Sequence, residues 1–379
     1  MTGLLSLARK HEAETVAIIR KFVECESPSG DAVAIGRFVD LLAESVRDIA
    51  RVKTFAAGKY GKHVRCEFTL PGGKKSGQIL ALGHSDTVWP LGSLKTMPFH
   101  RARGRIYGPG VFDMKAGLAL MITAVRMLRE LEAPIARKVV LQVNADEEIG
   151  SPSSRALTEE AARASVGVLV LEPAAGLDGK LKTARKGVGD YTVIVKGIPA
   201  HAGLDFEKGA NAIVEMARQI ERIAGFTRLD RGVTVSPGVI VGGTRSNVVP
   251  DSCKLEVDVR IPRAADARYL EARFRNLKAF DKRCTVEVTG GINRPPLERT
   301  AGVRKLYGIA EAVAAELGIS IGECAVGGGS DGNFTAGLGV PTHDGLGAIG
   351  EGAHSANENI VAAKLPERAA FLANLLTKL

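Results

Sequence analysis

The chain has 379 residues, 45% of them apolar and 25% charged, a composition that excludes disordered and fibrous classes and leaves room for two or three domains. Its net charge of +9 is spread without a basic block or an aromatic-interleaved basic stripe. That distribution argues against nucleic acid and for solubility and attraction of small anionic substrates. Five widely spaced cysteines, Cys25, Cys66, Cys253, Cys284 and Cys324, form no CxxC pair, so neither a disulfide framework nor a thiolate zinc site is expected.

Between Met1 and Ser27 there is no signal-like apolar core. Leu4, Leu5, Ala8, Val16, Ile19, Phe22 and Val23 instead recur at helical spacing. No run is long enough to span a bilayer, and a cytoplasmic protein without a membrane partner is expected. Two helices are predicted to open the chain, broken at Ser27-Pro28-Ser29-Gly30, with Asp31 capping the second. Strands follow at 51–55 and 63–70, closed by Pro71-Gly72-Gly73. The apolar run at 78–82 then leads into Gly83-His84-Ser85-Asp86. A helix at 115–131, a strand at 138–144, a helix at 152–163 and an apolar strand at 166–171 complete an alternation of buried strands and helices. Such alternation predicts an α/β domain with a mixed, mostly parallel sheet and helices on both faces.

The texture changes after Lys186. A half-exposed strand at 191–196, a helix at 209–223, strands at 233–241 and 252–261, a helix at 264–277 and a strand at 284–289 give a ferredoxin-like β-α-β-β-α-β order. From Thr300 the chain reads as helix, glycine-rich loop and helix, with no sheet of its own. The predicted organisation is a catalytic domain in two parts, residues 1–186 and 295–379, interrupted by an inserted domain at 187–294.

Chemistry gathers at strand ends. His84 and Asp86 follow the 78–82 strand, the acids of Asp146-Glu147-Glu148 follow 138–144, and Glu172 follows 166–171. Asp113 sits in a glycine-containing turn before a helix, and His354 precedes the last helix. A doubly wound sheet collects such positions at one edge, and adjacent acids there repel one another unless cations compensate. An imidazole and carboxylate set without cysteine suits borderline divalent ions such as Zn²⁺, and a two-metal hydrolytic centre needs a bridging carboxylate, terminal ligands and a carboxylate base. His343 is assigned to a loop, while His11, His63 and His100 have no comparable setting.

Taken in order, Gly83-His84-Ser85-Asp86-Thr87-Val88, Tyr107-Gly108-Pro109-Gly110 with Asp113-Met114-Lys115-Ala116-Gly117, Asp146-Glu147-Glu148-Ile149-Gly150-Ser151, Leu171-Glu172-Pro173, Ala200-His201-Ala202-Gly203 and Ala353-His354-Ser355 resemble the M20 metallopeptidases, the glutamate carboxypeptidase and aminoacylase type. The resemblance spans essentially the whole chain and leans to the glutamate carboxypeptidase branch through Tyr-Gly-Pro-Gly and Gly327-Gly328-Gly329-Ser330-Asp331. It implies two Zn²⁺ per subunit, with Co²⁺ or Mn²⁺ as alternatives. His84 and Glu172 would bind one ion, Glu148 and His354 the other, and Asp113 would bridge them. Asp86 would hold the His84 imidazole in its ligating tautomer. Glu147 would be the general base for attack by a metal-bridging hydroxide.

The resemblance also implies a homodimer through the lid domain. There His201 and Asn247 would stabilise the oxyanion, while Arg260, Gly329, Ser330 and Arg294 would receive a substrate carboxylate. The expected activity is zinc-dependent cleavage of a peptide or N-acyl amide bond with release of a C-terminal amino acid, glutamate favoured. The nearest alternative is deacylation of N-acetyl amino acids in the manner of acetylornithine deacetylase or aminoacylase. A metal-free scaffold on the same fold is disfavoured by the intact set of ligands and base.

Overall fold

The computed structural model describes residues 2–379. Among these, the chain divides into two compact units, one formed by 2–184, 299–326 and 330–379, the other by 185–298 with 327–329. The sequence alone places the insert at 187–294, without the glycines at 327–329.

The larger unit is built on a six-stranded sheet. Its order is Ala50–Ala56, Lys62–Phe68, Lys138–Asn144, Gln78–His84, Ser165–Val170 and Thr342–His343. The first two strands run antiparallel to their neighbours and the remaining pairs are parallel. The central strands are buried on both faces, which explains their continuous apolar sequences. Helices Ala116–Glu130 and Leu365–Lys378 bury most of their residues in the main core, together with Phe22, Phe38 and Phe371. Leu80, Leu82, Val140, Val168 and Val170 form a separate apolar cluster with Ala161 and Ala162 of Arg155–Arg163.

Three helices, Thr2–Lys10, Glu12–Glu24 and Ala32–Val46, open the chain where the sequence suggested two. Asp31 does cap the last of them, accepting from the Val33 and Ala34 backbone N–H groups. The C-terminal segment also differs from expectation. It contributes Thr342–His343 to the central sheet, and Gly350–Glu351 and Asn359–Val361 to a small antiparallel sheet with Arg105–Tyr107 and His100–Ala102. Strands of two or three residues carry no readable periodicity. His343 therefore lies fully buried in the sheet's edge strand, not in a loop.

The inserted unit has a four-stranded antiparallel sheet in the order Thr234–Gly242, Ser252–Ile261, Gly187–Lys196 and Thr285–Arg294. Helices Ala212–Ala224 and Ala264–Arg275 supply Met216, Ile223, Leu270 and Phe274 to its core. The two central strands of this sheet, Ser252–Ile261 and Gly187–Lys196, alternate more and less buried residues, as a sheet covered on one face requires.

Candidate metal centre

Parallel pairing explains how distant residues meet. In Lys138–Asn144, Gln78–His84 and Ser165–Val170 all three carboxyl ends point to one edge, with His84 level with Asn144 and Leu82 level with Val170. His84 ends the middle strand, Glu147 and Glu148 follow the strand on one side, and Glu172 follows the strand on the other. Asp113 enters from a turn at the head of Ala116–Glu130. His354, half-exposed and at a positive φ of 60°, enters from the C-terminal segment.

These residues form two ligand triads that share one carboxylate. His84, Asp113 and Glu172 make the first, Asp113, Glu148 and His354 the second, each with donor atoms within 4.8 Å of one another. His84 Nε2 lies 3.2 Å from Asp113 Oδ1 and 3.6 Å from Glu172 Oε1. His354 Nε2 lies 3.4 Å from Asp113 Oδ2 and 3.2 Å from Glu148 Oε2. The two oxygens of Asp113 thus face different triads, as a bridging ligand must.

The electrostatics of the centre call for positive charge. Burial alone would lower the His84 pKa, yet its contacts with Asp113, Asp86 and Glu172 leave it raised well above the ordinary value. Asp113 and Glu148 push His354 up to about 10. Burial would raise Asp113, but the two imidazoles hold it well below the usual carboxylate range. Glu148 Oε1 is buried with no hydrogen-bond partner, a costly state unless a cation takes the lone pairs. The donor set, the field and this orphaned oxygen all fit two divalent ions.

Asp86 supports the site through more than the expected imidazole–carboxylate contact. The close acceptor for His84 Nδ1 is the Asp86 main-chain carbonyl at 2.9 Å, while the carboxylate Oδ1 stands at 3.5 Å. That carboxylate also accepts from the backbone N–H groups of Glu147 and Glu148 at 3.1 and 3.2 Å, and from Ser29 Oγ at 2.9 Å. Asp86 therefore meets His84 through its backbone carbonyl and, at longer range, its carboxylate, and the same carboxylate pins the Glu147–Glu148 turn.

Three further groups escaped sequence reading. Glu358 is buried and accepts from Trp89 Nε1 and the Gly110 N–H through Oε2, and from the Phe112 and Asp113 N–H groups through Oε1, at 2.7–3.0 Å. It fixes the turn that carries the shared ligand. Asp331 accepts from Asn144 Nδ2 at 2.6 Å and from the Ser151 hydroxyl, bracing both ends of the acidic turn. His63 accepts from the Ala145 N–H and contacts Ser153 Oγ, which donates to Asp146 Oδ2 at 2.6 Å. Asp331 stands in the Gly327–Asp331 motif, but its role shows in no local pattern, nor do those of Glu358 and His63, because each acts across dozens of positions of chain.

The remaining expected contacts are distributed as follows. Ser330 is buried, and its hydroxyl donates to Asp344 Oδ2 at 2.6 Å, so its side chain is engaged internally. His201, Asn247, Arg260, Arg294 and Gly329 belong to the inserted unit. There His201 is exposed and accepts from the Gly203 N–H at 3.1 Å. The Asn247 main-chain carbonyl accepts from the Ala202 N–H. Arg260 forks onto Asp258, and Arg294 is buried. A Cβ on Gly329 would lie 3.0 Å from Arg294 Cδ.

An α/β sheet carrying two triads around a shared carboxylate, with a further carboxylate beside them, defines a metal-dependent hydrolase with a dinuclear centre. The sequence pattern of the family described as Peptidase family M20/M25/M40 matches residues 80–378, and the chain belongs to that family. Carboxypeptidase G2 of Pseudomonas sp. (strain RS-16) is 30% identical over 385 residues, covering 99% of this chain and 92% of that protein. Acetylornithine deacetylase of Myxococcus xanthus is 29% identical over 205 residues, covering 50% and 52%. The crystal structure of aminopeptidase PepT from Bacillus cereus ATCC 10987 superposes with a TM-score of 0.81 at 24% identity, covering 97% of this chain and 98% of that one. No helix among the described residues is long and apolar enough to cross a membrane.

Proposed function

We propose that the protein cleaves a peptide or N-acyl amide bond and releases a C-terminal amino acid, with glutamate the favoured product and Zn²⁺ the favoured metal. The observation that carries this reading is the pair of triads sharing Asp113, with Glu147 on the turn beside Glu148. Two divalent ions held there supply Lewis acidity toward a substrate carbonyl and an attacking water. Glu147 takes the proton from the attacking water and returns it to the departing amine. His201 and Asn247 receive the oxyanion, and Arg260, Arg294 and the backbone at Gly329 receive the free carboxylate of the substrate. The preference for glutamate rests on the resemblance of Tyr107-Gly108-Pro109-Gly110 and Gly327-Gly328-Gly329-Ser330-Asp331 to the glutamate carboxypeptidase branch, and the release of a C-terminal residue is in keeping with the likeness to carboxypeptidase G2.

The protein works as a homodimer joined through the inserted unit. Its edge strand Thr234–Gly242 leaves Val239, Ile240 and Val241 51%, 51% and 66% exposed, an unpaired apolar edge that a second copy would cover. The functional reading is tested by supplying zinc or cobalt and assaying N-acylglutamates, other N-acyl amino acids and dipeptides in parallel. Glutamate release that is abolished in Glu147→Gln supports it. Broad deacetylation of N-acetyl amino acids without glutamate preference would replace the carboxypeptidase assignment with the deacylase one, and hydrolysis unaffected by Glu147→Gln would remove the proposed base.

A further inference from the structure

Away from the metal centre, the larger unit holds a cavity of about 560 Å³ bordered by the segments around Gly179, Ser320, Ile349 and Arg368. None of the metal-centre residues lines it. We propose that this cavity is a second ligand site, one that takes a small monoanion with an apolar body, an aliphatic carboxylate, on the guanidinium of Arg368.

Lys180 and Lys364 at the cavity are already paired, with Asp178 at 2.8 Å and Glu367 at 2.7 Å. Arg368 lies only 3% exposed, and no carboxylate among the described residues forms an ion pair with it. Three cations against two carboxylates leave one positive charge, and it resides on the buried group. Burial holds the Arg368 pKa down at about 10, opposed only by the nearby Glu367 carboxylate, in keeping with a cation that has given up water without gaining an ion-pair partner of its own.

Phe371 lies against the guanidinium at 5.5 Å, and the hydrogen bonds leave one nitrogen of that cation to bind. Arg368 Nε donates to the Gly347 carbonyl at 2.9 Å and Nη2 to the Gly345 carbonyl at 2.7 Å. Nη1 has no protein acceptor among the described residues, yet it is not among the sealed, unsatisfied buried atoms. Arg368 borders the cavity, and Nη1 is the guanidinium nitrogen left to serve it. Planar guanidinium N–H groups suit a carboxylate, and the surrounding Ile319, Ile321 and Ile349 suit a branched aliphatic body. A single uncompensated charge matches a monoanion better than a phosphate dianion.

Binding is measured on the metal-loaded full chain with isovalerate, its uncharged counterpart isovaleramide, and inorganic phosphate. Ser320→Trp, at the exposed rim, closes the mouth without touching the core or the metal ligands. The difference between wild type and this variant therefore counts the cavity alone, whatever the metal centre binds. One equivalent of isovalerate is expected in that difference, with a dissociation constant on the order of 1 mM for so small a ligand. Arg368→Met should lose the same equivalent, but it also removes two hydrogen bonds to backbone carbonyls, so the rim variant is decisive. Equal isovalerate binding by wild type and Ser320→Trp, equal binding of isovaleramide in the cavity, or a preference for phosphate would each overturn the proposal. The readout is binding and not hydrolysis, so its failure is separate from failure of the proposed activity.

Discussion

Glu358→Gln exchanges a carboxylate for an amide of nearly identical shape, yet a large effect is expected. Each carboxylate oxygen accepts two N–H groups, Trp89 and Gly110 on one side, Phe112 and Asp113 on the other. An amide has an acceptor at only one end, so whichever way it is turned, two buried donors face an NH₂ group. Each orphaned donor costs about 1–3 kcal/mol, which places the loss at about 4 kcal/mol before relaxation. Relaxation would move the 110–113 turn, and with it the carboxylate shared by both triads. Urea unfolding of the metal-loaded protein, paired with competition against a chromogenic chelator, tests both parts. The unfolding midpoint should fall and both ions should weaken, each by about 10–100-fold. A variant that loses stability while keeping both metal affinities would refute the coupling of Glu358 to Asp113, and an unchanged midpoint would refute the hydrogen-bond argument itself.

Other consequences are as direct. In Gly117→Ala the new methyl carbon would lie 2.1 Å from the Leu171 carbonyl oxygen, backbone that leads straight to Glu172; a loss of about 3 kcal/mol and a weakened His84–Glu172 site are expected by thermal unfolding and metal competition. Burial lowers His343 to about 4, against an ordinary value of 6.5, so the unfolded chain takes up its proton first and stability falls as pH drops from about 6.5 toward 4. The full effect is about 3 kcal/mol, and His343→Gln should show a correspondingly shallower loss of urea midpoint over that window. Val241→Lys, on the exposed edge strand of the inserted unit, should shift the proposed dimer toward monomer in sedimentation velocity while leaving metal binding intact; an unchanged assembly would refute this edge as the interface.

What could be read in the sequence follows a physical divide. Buried parallel strands are long apolar runs, so the strands ending at His84 and Asn144, and the one before Glu172, announce themselves and their carboxyl ends. The β-α-β-β-α-β order of the insert was legible for the related reason that its strands alternate. Thr342–His343 was not, because two residues cannot display a period and the strand is defined only by Val168 and Leu169 beside it. Asp86 drew notice through its two-residue spacing from His84. Its carboxylate partners, the Glu147 and Glu148 N–H groups, lie about sixty positions away and cannot be inferred from a two-residue spacing.

The support residues also show why an acidic cluster this dense can be held in one geometry. Asp86 and Glu358 are acceptor-only groups when ionised, and each receives several N–H donors from a turn that carries a ligand. Asp331 does the same for the side chains at both ends of the Glu147–Glu148 turn. A charge-assisted bond from backbone to buried carboxylate is among the stronger and more directional contacts available. These carboxylates spend their lone pairs on the fold, which leaves Asp113, Glu148 and Glu172 to face one another across the centre. That mutual repulsion is tolerable only with cations between them. The division of labour among the acids, and not their number, makes the cluster a metal centre.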